Sequence, residues 1–211
     1  MSIPQHLQYK FKDGDALPSD GYIGPVVDRL ITEHVAAGSR IIDIGCGNGS
    51  GSGYFAKRGF GVTGVDPSER GIAIARELNP SGDWFVEAAE PGLLGRIGQE
   101  PFDAAISVEV VEHVYAPREW ASCCFECLRP GGVFVCTTPY HGYIKNLLLS
   151  LTDRWDRHMD PLWDGGHIKL WSRKTLSKLL TEAGFVDLNF YGAGRIPGLW
   201  MSMVMLARRP G

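Results

Sequence analysis

Residues 109–114 read Glu-Val-Val-Glu-His-Val, two carboxylates and an imidazole within five positions. Such groups take protons from hydroxyls, and together they can hold a divalent ion. A helix starting at or just after Glu109 places Glu109, Glu112 and His113 at i, i+3 and i+4, on one face. Two more acids occur in apolar runs: Asp43 within Ile41-Ile42-Asp43-Ile44, and Asp66 at the end of Gly61-Val62-Thr63-Gly64-Val65-Asp66. Gly45-Cys46-Gly47-Asn48-Gly49 follows the first run, and alternating glycines let a backbone turn sharply and approach a ligand closely. Tyr54 to Gly59 then has helical spacing with a basic last turn and a glycine stop, completing half of a nucleotide-type βαβ unit.

Charge and spacing narrow the ligand. A dinucleotide fingerprint requires Gly-x-Gly-x-x-Gly or Ala directly after the strand. Counting from Gly45, Gly47 or Gly49 puts Ser50, Ser52 or Tyr54 in the third place, and only Gly51-Gly53-Ala56 fits, beginning where the helix already runs. Asp43 argues in the same direction, because a carboxylate about 5 Å from a phosphate costs about 3 kcal/mol at an effective dielectric of about 20. A cationic ligand reverses that sign. S-adenosylmethionine carries a sulfonium and an ammonium, has no phosphate, and needs the same close backbone approach. Asp66, about 20 residues past the loop, stands where this architecture binds ribose hydroxyls; the competing reading is a cap for the helix near Ser68 and Glu69.

On these residues the chain resembles the class I S-adenosylmethionine-dependent methyltransferases. The matching motifs are the glycine loop, Val65-Asp66-Pro67-Ser68, Phe102-Asp103-Ala104-Ala105-Ile106-Ser107 and Leu128-Arg129-Pro130-Gly131-Gly132, spread over about residues 22–190. The resemblance implies an α/β, Rossmann-like three-layer sandwich with a seven-stranded, mostly parallel sheet and an antiparallel last strand. Asp43 is then expected to face the cationic methionine end of the donor, with Gly45, Cys46, Gly47 and Asn48 beneath it and Asp66 on the ribose. Pro67 and Ala89 are expected to flank the adenine, with Glu90 assisting and Val108 at the end of the fourth strand. The family usually places an acid at the position aligned with Ala88, so this chain departs from it there. Ser107 to Val114 is similar to the corresponding segment of the ubiquinone-biosynthesis O-methyltransferases. That likeness implies a divalent ion, such as Mg2+, on Glu109, Glu112 and His113. Without an ion, His113 serves as general base with Glu109 beside it, and a purely structural trio is a third reading.

The supporting elements follow from periodicity. Residues 1–21 read as an extended arm, with Tyr9 a candidate lid over the donor, and 22–211 as a single domain. Helices are expected around residues 26–35, 69–78, 120–128 and 176–183, the last capped by Ser172. Strands are expected at 40–44, 61–66, 84–86, 102–108, 133–138, 185–191 and 200–207. An insertion at about 139–171, rich in aromatics and histidine, is the expected substrate cap, with Tyr140, His141 and His167 as acceptor contacts. Within it Ile144, Leu147, Leu148, Leu151 and Trp155 form a stripe, with Lys145 on the other side. The stripe docks on the domain, lines an acceptor site or makes a peripheral membrane contact through 144–155.

Composition limits the classes. The chain has 211 residues, 44% of them hydrophobic, which suits one well-cored domain. A net charge of −3 gives no electrostatic reason to expect nucleic acid, so a small-molecule acceptor is expected. The first eleven residues have no apolar signal core and no run reaches membrane-span length, which points to the cytoplasm. Of five cysteines, Cys124 and Cys127 have redox or zinc spacing without a second pair, so all five read as buried small hydrophobes. The reading that results is O-methylation of a hydroxyl or phenol. Its alternatives are N- or C-methylation on the same fold, a nicotinamide-dependent oxidoreductase and a catalytically silent cofactor-binding protein.

Overall fold

The computed structural model describes residues 20–163 and 165–211, so Tyr9 and residues 1–19 of the expected arm lie outside the described residues, while Asp20 and Gly21 belong to the first helix and not to an arm. In chain order the elements are α1 (Asp20–His34), β1 (Arg40–Ile44), α2 (Ser50–Lys57), β2 (Gly61–Asp66), α3 (Glu69–Leu78), β3 (Asp83–Val86), α4 (Leu93–Ile97) and β4 (Phe102–Val108). There follow α5 (Pro117–Glu126), β5 (Leu128–Pro139), α6 (Tyr143–Leu151), α7 (Trp155–Met159), α8 (Arg173–Glu182), β6 (Val186–Ala193) and β7 (Ser202–Arg208). The strands form one sheet in the order β3-β2-β1-β4-β5-β7-β6. β7, the last strand, runs antiparallel to both neighbours, and the remaining pairs are parallel, as expected from the sequence.

The near-continuous apolar runs of these strands reflect burial on both faces. Ile42, Ile44, Ala105, Phe134, Cys136, Met203 and Met205 pack one face beneath α4, α5 and α8, with Leu93, Trp120, Cys123 and Leu180. Ile41, Ala104, Ile106, Val133, Val135, Val204 and Leu206 pack the other beneath α1, α2 and α3, with Leu30, Ile31, Phe55 and Ile72. Neighbouring residues therefore serve opposite layers, and three layers result. All five cysteines are free and buried, four of them in the first layer. Among the described residues no helix is long and apolar enough to cross a membrane.

Strand order reverses between β1 and β4, so the carboxyl ends of β1, β2, β4 and β5 open a crevice at one sheet edge. Register brings Asp43 beside Gly64 and Ile106, and Val108 beside Thr137. Beneath that edge the Ser107 hydroxyl donates to the Ile44 carbonyl at 2.7 Å and accepts from Trp120 Nε1 at 3.3 Å, tying β1, β4 and α5 together.

Two expected elements differ. β5 begins at Leu128, because Leu128 pairs with Phe102 ahead of an irregularity and Gly131 takes a positive φ of 76°. No helix starts at Glu109; the reason lies in the site it serves.

Candidate functional site

β1 and β2 deliver the donor side of the crevice. Gly45, Gly47 and Gly49 all have positive φ (84°, 56° and 72°). A Cβ on Gly45 would collide with the Val110 side chain, and one on Gly49 would lie 2.7 Å from Ala75 Cβ, so the loop is packed to a distance only glycine permits. Most of its amides are already committed. Gly45 and Cys46 N–H donate to the Val65 carbonyl at 2.8 and 3.0 Å, and Gly49 N–H to the Cys46 carbonyl at 2.9 Å. Gly47 N–H donates to Asp66 Oδ2 at 3.0 Å, and Ser50 N–H to Asn48 Oδ1 at 3.2 Å. A pyrophosphate cradle needs a run of amides pointing at the ligand, and this loop turns them onto itself.

Negative charge gathers at the same place. Asp43 and Asp66 are buried, and both push the buried Cys46 thiol upward, after the larger effect of burial. Asp66 also accepts from Ser68 N–H at 2.8 Å, so it organises the loop and caps its own turn at once. Burial raises its pKa to about 6 even against these two hydrogen bonds. Asp66, Pro67, Ala89 and Glu90 stand at the β2–β3 end of the crevice; Glu90 is exposed, and Arg96 pairs with Glu87 at 2.9 Å to brace that loop. Val108 is half-buried at the end of β4.

The acids after β4 are arranged differently from the expected helix face. Glu109 has φ 53°, a strained left-handed conformation, and 110–113 form a tight turn closed by His113 N–H to the Val110 carbonyl at 2.9 Å. β-branched Val110, Val111 and Val114 disfavour a helix here, and Pro117 fixes the start of α5 instead. Glu109 is thereby turned toward β5 and β7. Its carboxylate accepts from Thr137 Oγ1 at 2.8 Å and Ser202 Oγ at 3.3 Å, while its N–H donates to Thr137 Oγ1 at 3.0 Å. Burial raises its pKa to about 7.

Glu112 and His113 turn the other way and meet His167. Glu112 is 1% exposed, and neither carboxylate oxygen has a hydrogen-bond partner among the described residues; the Thr138 hydroxyl faces it without reaching bonding geometry. Burial, then the Glu109 charge, hold its pKa far above the usual carboxylate range. The Glu112 carbonyl accepts from Ile168 and Lys169 N–H at 2.9 and 3.1 Å, which brings His167 alongside. His113 Nδ1 lies 2.8 Å from the Gly165 carbonyl; carbonyls only accept, so Nδ1 carries the proton and Nε2 is left as the acceptor nitrogen. The His113 and His167 rings are 4.9 Å apart. Burial lowers both pKa values, that of His167 to about 4, so both are neutral at pH 7. Each of Glu112, His113 and His167 offers a ligand atom within 4.8 Å of the others. The metal-capable group is thus carboxylate plus two imidazoles, with His167 where the sequence reading had Glu109. That donor set and the bare Glu112 oxygens fit a borderline ion such as Zn2+ better than Mg2+, which prefers oxygen ligands.

Beside this edge lies a cavity of about 630 Å3 whose wall includes Glu109, Lys145, His158, His167, Arg195 and Ser202. His167 lines it. Tyr140 instead packs against Trp200 and Phe190, and buried His141 against Trp155 and His158, so neither forms part of the wall. Lys145 corrects a further expectation. It is the inward residue of α6, 8% exposed and donating to the Met201 carbonyl at 3.3 Å, whereas Tyr143, Ile144, Leu147 and Leu151 are exposed. The stripe does not dock on the domain. Lys145, Leu148, Leu149 and Thr152 form the adjoining i, i+3, i+4, i+7 face, which shares Leu148 with the stripe and lines the cavity. Tyr22, Thr137, Lys145, Arg195 and Ser202 were not singled out from sequence; a cation within an apolar helical run was the one local signal.

A glycine-loop crevice with buried acids thus stands at the switch point of this sheet. Comparison with known proteins gives the family. A family model described as a methyltransferase domain matches residues 19–189, and the chain belongs to that family. Its curated relatives include ubiquinone biosynthesis O-methyltransferases. That of Cereibacter sphaeroides is 39% identical over 125 residues, 51% of this chain and 49% of the relative. That of Aromatoleum aromaticum is 30% identical over 165 residues, 76% of this chain and 70% of the relative. The chain spans about half, or less, of the length of the first of these relatives. In fold it is similar to the Burkholderia thailandensis 1,6-didemethyltoxoflavin-N1-methyltransferase, solved with its acceptor and S-adenosylhomocysteine: TM-score 0.62 at 18% identity, covering 89% of this chain and 78% of that one.

Asp66 makes the crevice pH-sensitive. A folded pKa of about 6 means that the carboxylate, the form a ribose hydroxyl or cation prefers, is lost as pH falls through that value. Calorimetric titration with S-adenosylhomocysteine is expected to show affinity up to about tenfold weaker at pH 5 than at pH 7.5. Constant affinity across that range contradicts an ionised Asp66 as ligand.

Proposed function

We propose that this chain is an S-adenosylmethionine-dependent methyltransferase that methylates a hydroxyl or phenol oxygen of a small molecule. The observation that carries the donor assignment is the glycine loop whose amides are turned onto the protein while Asp43 and Asp66 stand buried at its edge. This arrangement repels a pyrophosphate and attracts a cation, which sets the nicotinamide alternative aside. The donor, when bound, supplies an electrophilic methyl group on a sulfonium. Asp43 faces the positive end, Gly45 to Asn48 lie beneath it, Asp66 takes the ribose, and Pro67 and Ala89 with Glu90 enclose the base.

Acceptance of the hydroxyl proton falls to Glu109 in this reading. It lies in the cavity wall next to the crevice, and its pKa of about 7 matches a general base working at neutral pH. Thr137 and Ser202 donate to its two oxygens and aim it, so its strained backbone is held from β5 and β7. His113, the base expected from sequence, stands behind His167 with Nδ1 committed to Gly165, and its part here is to fix His167 at the cavity wall. A divalent ion would be held by Glu112, His113 and His167, and it would supply polarisation of the acceptor oxygen.

Two experiments test this. Glu109→Gln is expected to lower kcat by about 10²–10⁴-fold and to abolish the rise of rate through pH 7, with S-adenosylhomocysteine affinity within about twofold of wild type. Unchanged turnover removes Glu109 as base. In thermal melts, Zn2+ is expected to raise the Tm of the chelator-treated wild type and not that of Glu112→Gln, with a smaller response to Mg2+. Equal responses of the two proteins contradict the ion site.

A further inference from the structure

The cavity beside Glu109 has a charge pattern that the methyl-transfer reading alone does not require. Among the described residues its wall contains Lys145, Arg154, Arg157 and Arg195, and Glu109 as the one acid. None of the four cations forms a salt bridge among the described residues. The acids of the neighbouring segment, Asp153, Asp156 and Asp160, are exposed and stand outside the wall. Lys145 is the telling member, because it is buried to 8% exposure with one carbonyl for a partner, and burying an ammonium that way is unfavourable unless a counter-charge arrives.

Its surroundings respond to that imbalance. Burial lowers the Lys145 pKa to about 8, Arg195 adding to the effect and Glu109 opposing it. Lys145 and Arg195 both depress His158 further, after burial, so the positive potential reaches across the cavity. Leu148, Leu149, Leu199 and Met201 give the wall its apolar part, beside the neutral polar groups of Tyr22, Thr152, His158, His167 and Ser202. None of the donor-loop residues 45–49 and neither Asp43 nor Asp66 belongs to it, which separates it from the donor crevice.

We propose that the methyl acceptor carries an anionic group, a carboxylate or a phosphate monoester, which the cavity receives at Lys145 and Arg195 while its apolar body lies on Leu148, Leu149, Leu199 and Met201. This rests on the methyltransferase reading above and adds the substrate's charge to it. The hydroxyl to be methylated then points to Glu109 and His167, at the end of the cavity nearest the sheet edge. Lys145 and Arg195 are positioning residues in this scheme, since they hold the acceptor's anionic group and not the reacting oxygen.

The test is a binding panel in the presence of S-adenosylhomocysteine. It comprises 3,4-dihydroxybenzoate and 4-hydroxyphenylacetate, their primary amides, and 3,4-dihydroxybenzyl phosphate. In the wild type the anions are expected to bind at least about tenfold more tightly than the matched amides. In Lys145→Met and Arg195→Gln that preference is expected to shrink to within about threefold, with amide affinities unchanged. Arg195 is exposed, so its variant keeps the test valid should Lys145→Met fold poorly. Tighter binding of the phosphate than of the carboxylates assigns a phosphate monoester, and the reverse assigns a carboxylate; either supports the proposal. Amides binding as well as acids, an acid preference that persists in both variants, or no binding of any member while S-adenosylhomocysteine binds overturns it. Failure of S-adenosylhomocysteine to bind overturns instead the methyltransferase reading beneath it.

Discussion

Carboxylates buried at one edge of a mostly parallel sheet are the constraint from which the rest of this structure follows. Asp43, Asp66 and Glu112 are buried there, and Glu109 is held at the same edge by two hydroxyls. Raising Asp66 from its ordinary 3.8 to about 6 costs about 3 kcal/mol of folding free energy at neutral pH. The sign is that of raised acids: the stability each contributes is complete below the ordinary carboxylate range and is lost as pH rises through about 6 for Asp66 and about 7 for Glu109. A cationic ligand at this edge would offset that cost. Relief on binding is what makes the edge selective.

The donor crevice and the cavity beside it divide the task by charge. On the β1–β2 side, acids and a self-bonded glycine loop favour a cation that carries a ribose. On the β5–β7 side, Lys145 and the arginines favour the opposite sign. Methyl transfer from a sulfonium to an oxygen joins a positive and a negative partner, so complementary walls bring both together and leave the reacting charges to cancel. Glu109 stands at the boundary, with backbone strain that Thr137 and Ser202 sustain.

The sheet and the donor half were legible in the sequence because their signals are local. Ile41 to Ile44 and Gly61 to Asp66 announce buried strands, and the glycines and terminal acids sit within a few positions of them. The acceptor half was not. Glutamate favours helices on its own, and Glu109 takes a left-handed turn because partners 28 and 93 residues away fix its carboxylate. The pairing of His113 with His167 depends on hydrogen bonds between the 110–113 turn and the segment around Gly165 to Lys169, which no spacing announces. In α6 the apolar residues satisfy two faces, Ile144-Leu147-Leu151 and Leu148-Leu149, so periodicity did not reveal that Lys145 belongs inside. Propensity yields to tertiary context at the residues that make the site.

The most direct measurement is calorimetric titration of the protein with S-adenosylmethionine and, separately, with NAD at neutral pH. The account predicts saturable binding of S-adenosylmethionine at one site per chain and no binding of NAD, because most of the loop amides are spent and two buried acids favour a positive charge over a phosphate. Tight NAD binding, or indifference to S-adenosylmethionine, would contradict it.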